Sequence, residues 1–274
     1  FYIMDGIIHN FVQTHKPSIC ILTPCYNGHI HTQYMKSFLE TQDLFKEFNI
    51  PICLEQISFT NSYARAKNNL IAKGMNQHNI THFMFIDAFV EWQPLDIIKL
   101  LLNDKFIIAG VCPNNKMKFD ILSNNPDDIQ KWKNTTDKYN IQVSHDTLIQ
   151  NNILSYDVTL KNNNLELING SSKVRSISSG FMLCKRLAIE KMQSAFPRSK
   201  YIDNTGFIKP EEQKYTYALF DNGLINYTYC SEDVVFCERW NNLNGSIWAC
   251  LSININLIDS HNFQGSFYNS IIQI

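Results

Sequence analysis

The sequence has neither an excess of basic residues nor a long apolar run. Its 274 residues include 24 Lys and Arg and 25 Asp and Glu, which gives a formal net charge of -1. Proteins dedicated to nucleic acids usually carry a basic excess, so this balance argues against a nucleic-acid partner. No stretch reaches the roughly 18 apolar residues of a membrane span, and the first residues do not resemble a signal peptide. We therefore expect a cytoplasmic protein without a membrane span.

The sequence also lacks the paired cysteines of zinc ribbons and thioredoxin-like proteins. None of its eight cysteines forms a C-x-x-C pair, which is the spacing that both motifs use. Most of them lie within apolar runs, where a free thiol behaves as a small hydrophobic side chain. We expect reduced core residues at Cys20, Cys25, Cys53, Cys112, Cys184, Cys230, Cys237 and Cys250.

Two common nucleotide-binding loops are absent as well. The chain contains no G-x-G-x-x-G and no G-x-x-x-x-G-K-[ST], so neither a Rossmann loop nor a P-loop is supported. A phosphate-bearing ligand would need a cation or a metal instead. Arg65 and Lys67 fall in the first turns of a predicted helix, where backbone amides and a guanidinium can meet an anion. A solvated helix face is the competing interpretation.

What the first half does contain is an alternation of strand-like and helix-like segments. Short apolar runs alternate with segments whose apolar residues recur at helical spacing. This order predicts a parallel sheet with right-handed crossovers. The predicted strands are 18–23, 51–57, 81–86 and 106–111, and the predicted helices are 32–48, 61 or 62 to 75, and 94–103.

The second half is less regular. Residues 113–170 are polar, rich in Asn and Lys, and weakly periodic, so we expect an irregular peripheral insertion with one or two hairpins. Further helices are predicted at 186–195 and 231–242, and late strands at 246–250 and 255–258. The predicted fold is α/β, with one domain over 1–274 and a mixed, mainly parallel central sheet flanked by helices.

Polar residues follow several predicted strands, and open α/β sheets bind ligands at the carboxyl ends of strands. Asp87 ends the apolar run 82–86, and a carboxylate there needs solvent, a cation or a partner. Two acids at i and i+2 can face one hard divalent cation, but Phe89 stands at the second place. A loop cap therefore explains Asp87 as well as a metal ligand does.

Two further groups each have two interpretations. Ser231, Glu232 and Asp233 precede an apolar run, so the serine can cap a helix and the acids can favour the positive end of its dipole. In the alternative, Asp233 is a general base at the rim of a pocket. His261 follows a predicted strand; such a histidine is usually structural, but imidazole is also a common metal ligand.

Eight motifs in chain order carry a resemblance to a known family. They are TPCYNG, NSYARAKNNLIA, THFMFIDAFVEW, AGVCPNNK, SSGFMLCKR, YCSEDVVFCERW, GSIWA and LIDSHNFQG. In this order they resemble nucleotide-sugar glycosyltransferases with the GT-A fold, and in particular the compact glycosyltransferase-like proteins of large DNA viruses and bacteriophages. The resemblance spans residues 18–268 and implies a GT-A-like domain and, for a viral protein, the host cytoplasm.

The resemblance implies where the sugar donor would bind. In such enzymes a loop after the first strand lies under the nucleotide, an acid of the second strand contacts the base or ribose, and an R-x-x-N pattern lies near the donor. A glycine segment closes the sugar pocket, which here matches Gly180 and Phe181. The implied donor-binding residues are Thr23, Pro24, Tyr26, Asn27, Glu55, Arg65, Asn68, Asp87 and Gly180.

The resemblance also implies a metal site and a catalytic pair. Asp87 matches the first acid of a D-x-D motif, and His261 matches a late metal-ligating histidine, so Mn²⁺ or Mg²⁺ is the expected cofactor. Glu232 and Asp233 match the catalytic pair of inverting members, whose aspartate deprotonates the acceptor. Phe89 departs from the pattern, because an aromatic ring cannot ligate the hard cation that the second acid would hold.

Three functions are compatible with these residues. The first is transfer of a hexose from a UDP- or GDP-linked sugar to a hydroxyl of a glycan or protein. The second is a non-catalytic or metal-impaired module that binds a nucleotide sugar or glycan, and Phe89 favours it. The third is modification of a hydroxylated base in viral DNA, which the near-neutral charge of the chain disfavours.

Overall fold

The computed structural model of the protein describes residues 2–59, 62–119, 127–138, 144–161, 166–259 and 262–271. The first half follows the predicted alternation. Its elements are α1 (Tyr2–His15), β1 (Ile19–Cys25), α2 (Thr32–Glu47), β2 (Ile52–Ser58), α3 (Tyr63–Asn76), β3 (His82–Ile86), β4 (Val90–Glu91), α4 (Pro94–Leu102) and β5 (Ile107–Gly110).

The second half adds strands to both the main sheet and three small sheets. Its elements are β6 (Pro113–Met117), α5 (Asp127–Lys138), α6 (His145–Ile153), β7 (Leu154–Tyr156), β8 (Val158–Leu160), β9 (Leu167–Ile168), β10 (Ser171–Ile177), β11 (Phe181–Lys185), α7 (Arg186–Ala195), β12 (Gly223–Ile225), β13 (Thr228–Cys230), α8 (Glu232–Asn241), β14 (Ile247–Cys250), β15 (Asn256–Ile258), β16 (Asn262–Gln264) and α9 (Phe267–Ile271). Two short 3₁₀ helices span Pro197–Ser199 and Gln213–Tyr215.

The main sheet has nine strands in the order β2-β1-β3-β11-β5-β14-β10-β8, with β9 also pairing with β10. The pairs of β1 with β2, β1 with β3, and β5 with β14 are parallel. Strand β11 runs antiparallel between β3 and β5, and β10 runs antiparallel to β14. Seven of the nine strands therefore run in one direction, and β10 and β11 run in the other. In this sense the predicted α/β class, with a mixed and mainly parallel central sheet flanked by helices, is confirmed. The architecture is consistent with the GT-A-like fold that the resemblance implies.

Apolar side chains cover both faces of this sheet. In β1, Cys20 and Leu22 join one buried cluster, while Ile19 and Ile21 join the other. Such a strand reads as a continuous apolar run rather than an alternating one, because neither of its faces meets water. This explains why the run 18–23 was a reliable strand signal.

The expectation of an irregular insertion over 113–170 needs correction. Within the described residues this segment contains helices α5 and α6, and its strands β8 and β9 pair with β10 and so extend the main sheet. Ser144 caps α6, because its Oγ accepts a hydrogen bond from the Thr147 amide at 3.1 Å. The mostly polar composition hides the few buried anchors of this helix, such as Leu148 and Ile153.

Helix α1 lies in a part of the chain for which the sequence patterns made no prediction. Ile8 and Val12, one helical turn apart, are buried in the same cluster as Ile19 and Ile21. None of the described helices combines the length and apolar character needed to cross a membrane. All eight cysteines are free thiols, and six of them are buried.

Candidate functional site

The turn after β3 brings Asp87 and Phe89 to the mouth of one cavity. The Val90 amide donates to the Asp87 carbonyl at 3.0 Å, which closes a tight turn, and the Ile258 amide donates to the Phe89 carbonyl at 2.8 Å. Both side chains are half-buried, and both line a cavity of about 290 Å³. Phe89 therefore faces a cleft at the carboxyl end of the sheet. The second acid of a D-x-D motif at this position would face the same cleft.

Two further carboxylates line this cavity that the sequence did not single out. Asp157 and Asp259 are exposed residues of its wall. Asn114 Nδ2 donates to Asp157 Oδ1 at 2.9 Å, and Asn115 Nδ2 donates to Asp259 Oδ2 at 2.8 Å. Both asparagines belong to the polar stretch 113–116 that follows β5, so the position of this stretch after a strand was the available signal.

A buried lysine organises the proposed catalytic pair. The side chain of Lys67 is only 4% exposed, and its Nζ lies 2.8 Å from Asp233 Oδ1 and 3.1 Å from Glu232 Oε1. Ser179 also binds Asp233, through its hydroxyl at 2.6 Å and its amide at 3.1 Å. The carboxylate of Asp233 thus receives three hydrogen bonds, which fix its orientation at the start of α8.

The protonation states within this group follow from burial and from the lysine. Burial disfavours the ionised form of Asp233, but Lys67 and the hydrogen bonds from Ser179 outweigh it and lower the pKa of the carboxyl. Burial would lower the pKa of Lys67, yet Asp233, Asp87 and Glu232 raise it above its ordinary value. Burial raises the pKa of Asp87, and Lys67 only partly offsets this.

Ser179 and Gly180 connect Asp233 with Asp87 of the cleft. While Ser179 binds Asp233, the carbonyl of Gly180 accepts a hydrogen bond from the Asp87 amide at 3.0 Å. A Cβ added at Gly180 would lie 3.2 Å from Asp87 Oδ2 and 3.4 Å from Cys112 Sγ. The glycine therefore gives the Asp87 carboxylate the room to lie against the backbone just before β11.

The loop after β1 contributes a buried and an exposed part. Thr23 and Pro24 are buried within the strand, and the Thr23 hydroxyl bonds to the Tyr34 hydroxyl at 2.5 Å. Tyr26 and Asn27 are exposed. The Tyr26 ring lies parallel to the ring of Tyr63, with centroids 6.1 Å apart. Because Tyr63 lines the cavity, this ring pair connects the loop to the cleft.

Three predicted donor-binding residues make structural contacts elsewhere. Arg65 Nε donates to Asp203 Oδ1 at 3.0 Å, and its Nη2 donates to Asn204 Oδ1 at 2.6 Å. The amide of Asn68 pairs with the backbone N and O of Phe220. Glu55 lies within β2, three residues before the end of the strand. Its carboxylate accepts a hydrogen bond from the side chain of Gln77, which follows the C-terminal end of α3. Their proposed roles toward a donor stay predictions.

The capping interpretation of Ser231 is not supported. Ser231 occupies the N-cap position of α8, but its side chain makes no capping hydrogen bond among the described residues. Glu232 and Asp233 lie in the first turn, where the helix dipole favours negative charge, yet their hydrogen bonds go to Lys67 and Ser179. The two acids are therefore held by contacts outside the helix as well as favoured by its dipole.

The described residues do not form a complete metal site. Within the described ranges, no three His, Cys, Asp or Glu side chains come close enough to hold a metal ion. Asp87 is the predicted ligand that the structure describes, and Phe89 beside it offers no ligand atom. His261 lies outside the described residues. The residues in view thus fit a resident Mn²⁺ or Mg²⁺ poorly.

Comparison with known proteins finds likeness among solved structures alone. No family model matches the sequence, and no curated protein matches it. Among solved structures 17 chains match. One is the crystal structure of A197 from STIV, with 13% sequence identity, a TM-score of 0.45, and coverage of 89% of this chain and 86% of that chain. Such a TM-score supports no statement about function, which has to come from the residues themselves.

Proposed function

We propose that the protein is a glycosyltransferase that moves a hexose from a UDP- or GDP-linked sugar to a hydroxyl of a glycan or protein. Asp233 is the general base, and the sugar carbon is inverted. The observation that carries the proposal is the link between Asp87 and Asp233 through the adjacent residues Ser179 and Gly180. Under the proposal, Asp87 serves the donor side of the reaction and Asp233 the acceptor side.

The state of Asp233 suits the role of base. A sugar hydroxyl is a poor nucleophile, so a positioned carboxylate that takes its proton accelerates the attack. Lys67 and Ser179 keep the carboxylate of Asp233 in the ionised form that can take a proton, because they lower its pKa against the effect of burial. As the acceptor oxygen bonds to the sugar carbon, its proton passes to Asp233, and the bond from that carbon to the nucleoside diphosphate breaks. Lys67 and Ser179 hold the carboxylate during this step.

The charge of the cleft bears on donor binding. Asp87, Asp157 and Asp259 line the cavity, and Glu232 and Asp233 lie nearby with Lys67 between them. A diphosphate would meet repulsion here unless a cation compensates. A Mn²⁺ or Mg²⁺ ion bound through Asp87 and His261 would supply that charge as a Lewis acid. With Phe89 in place we expect weak ion binding, and the role of Asp233 does not depend on it.

A second candidate is a module that binds a nucleotide sugar or a glycan without transferring it. The observation that favours it is the Phe89 ring in the cavity wall, where the resemblance places a metal-binding acid. Such a module would keep Asp87 and the parallel tyrosines at the cleft but would release no product.

The two candidates differ in product formation. UDP-glucose and GDP-mannose would each be incubated with the protein, with manganese and with a chelator, and free UDP or GDP would be measured. A transferase releases nucleotide slowly even to water as acceptor, at a rate proportional to protein concentration. A binding module gives a calorimetric binding signal with no release above that of heat-denatured protein. Absence of both binding and release would overturn both candidates.

A further inference from the structure

A second concave surface lies at the opposite end of the sheet from the Asp87 cleft. It encloses about 840 Å³, and its lining includes Lys105, Phe106, Leu187, Lys191, Trp240 and Trp248. Strand β5 begins at Ile107 and pairs in register with the start of β14, whereas Asp87 follows the last residue of β3. We call this surface the lysine groove.

Cations outnumber acids at the lysine groove when the cations that pair with its two acids are included. Lys105 Nζ lies 4.5 Å from the centre of the Trp248 ring, and Lys191 Nζ lies 4.8 Å from that of Phe106. Neither lysine has an ion-pair partner in the part of the chain that the structure describes. The two acids of the groove are already engaged, because Asp104 pairs with Lys185 at 2.5 Å and Glu190 pairs with Arg186 at 2.8 Å.

The same groove exposes apolar surface between its lysines. Leu187 is 48% exposed and Phe106 is 37% exposed, while Asn244, Ser194 and Ser246 add hydrogen-bonding groups to the wall. A ligand that complements this surface carries negative charge and an apolar group, and it offers polar backbone atoms along its length. Its charge is opposite to that of the groove, which steers association and disfavours cationic partners.

We propose that the lysine groove binds a segment of a partner protein in which acidic residues alternate with large apolar ones. The concave shape favours a single extended chain over a flat bilayer. A single-stranded nucleic acid is disfavoured, because successive bases need several exposed rings for stacking. Of the three rings in the groove lining, Phe106 is partly exposed, but Trp240 and Trp248 are only 4% and 8% exposed. The inference is independent of the proposed transfer reaction, since the groove and the Asp87 cleft share no lining residue.

The test uses the tryptophans of the groove as reporters. A synthetic ten-residue peptide of alternating Glu and Leu, without Trp, would be titrated into the full chain while Trp fluorescence is recorded. We expect saturable binding that weakens as salt screens the charges. The double variant Lys105→Glu, Lys191→Glu should lose at least about tenfold in affinity, since the charge reversal repels the peptide. The control is Lys36→Glu, Lys46→Glu on α2, with both lysines exposed and neither in the groove lining.

Further arms separate the alternatives. A Gln-Leu peptide of the same length should bind much more weakly than the Glu-Leu peptide. Equal binding of the two peptides, or no effect of the Lys105 and Lys191 changes, would overturn the proposal. Saturable binding of oligo-dT or of phosphatidylserine vesicles at this surface, without binding of the Glu-Leu peptide, would also overturn it. Absence of any saturable binding would overturn it as well. Unchanged far-UV circular dichroism of both double variants would show that they are folded.

Discussion

Replacing Lys67 by Met should destabilise the protein strongly, because the ammonium is the buried partner of two carboxylates. Its side chain is 4% exposed, and those of Glu232 and Asp233 are 19% and 18% exposed. Breaking a buried ion pair costs about 3–5 kcal/mol, since an uncompensated charge remains. Asp233 keeps its two hydrogen bonds from Ser179 and some contact with water. We therefore expect the lower end of the range, about 3 kcal/mol.

The cause of that loss can be separated from simple packing by a cycle of variants. Lys67→Met would also be made in a background with Asp87→Asn, Glu232→Gln and Asp233→Asn, which removes the three carboxylates that Lys67 compensates. There Lys67→Met should cost less than about 1.5 kcal/mol, as expected for an apolar replacement of similar size. Urea unfolding with linear extrapolation gives the free energies. An equal cost in both backgrounds, or a cost near zero in the unaltered chain, would refute the charge argument.

Three further predictions follow from the cleft. Phe89→Asp should raise manganese-dependent affinity for UDP or GDP by about 1–3 kcal/mol, because the metal gains a charged ligand. Calorimetry with manganese and with chelator measures this affinity, and Phe119→Asp, at an exposed position, is the control. An equal gain in affinity without metal would contradict the prediction. Gly180→Ala should lower the free energy of unfolding in urea by about 1 kcal/mol, because the added Cβ would lie 3.2 Å from Asp87 Oδ2. Gly223→Ala, with no described atom within 4 Å of the new Cβ, should leave it nearly unchanged. Equal losses in the two variants would count against crowding at Gly180. Asp233 has a lowered pKa in the fold, so its contribution to stability is present above the ordinary carboxyl pKa and is lost as pH falls through the folded value. The free energy of unfolding, measured between pH 6 and about 2, should therefore fall less steeply in Asp233→Asn than in the unaltered chain. Parallel curves for the two proteins would argue against this linkage.

The strands were the most predictable part of the structure. The runs at 18–23 and 81–86 are apolar because both faces of β1 and β3 are buried, so composition alone exposes them. The Asp87 turn was predictable too, since it follows directly from the end of such a run. The helices α5 and α6 were not, because their few apolar anchors are diluted by Asn, Gln and Lys in the sequence.

The cleft itself was predictable only in part. Asp233 lies in the first turn of its helix, as its position before an apolar run suggested. Lys67 was identified as a residue near a helix start, but its burial against two acids depends on residues more than 160 positions later in the chain. Asn68 illustrates the opposite case, because an R-x-x-N pattern implied donor binding while its amide pairs with the backbone of Phe220. Contacts between distant segments carry no local signal.

The most direct test of the account is nucleotide release by Asp233→Asn compared with Asp43→Asn, an exposed aspartate on α2. Release of UDP or GDP from the matching sugar nucleotide would be measured together with calorimetric affinity for the same donor. The account predicts that Asp233→Asn loses release by about a hundredfold or more, the usual contribution of a general base, while donor affinity stays nearly unchanged. It also predicts that Asp43→Asn behaves like the unaltered chain. Equal release by both variants, or an equal loss of release and donor binding in Asp233→Asn, would contradict the role of Asp233 as the base.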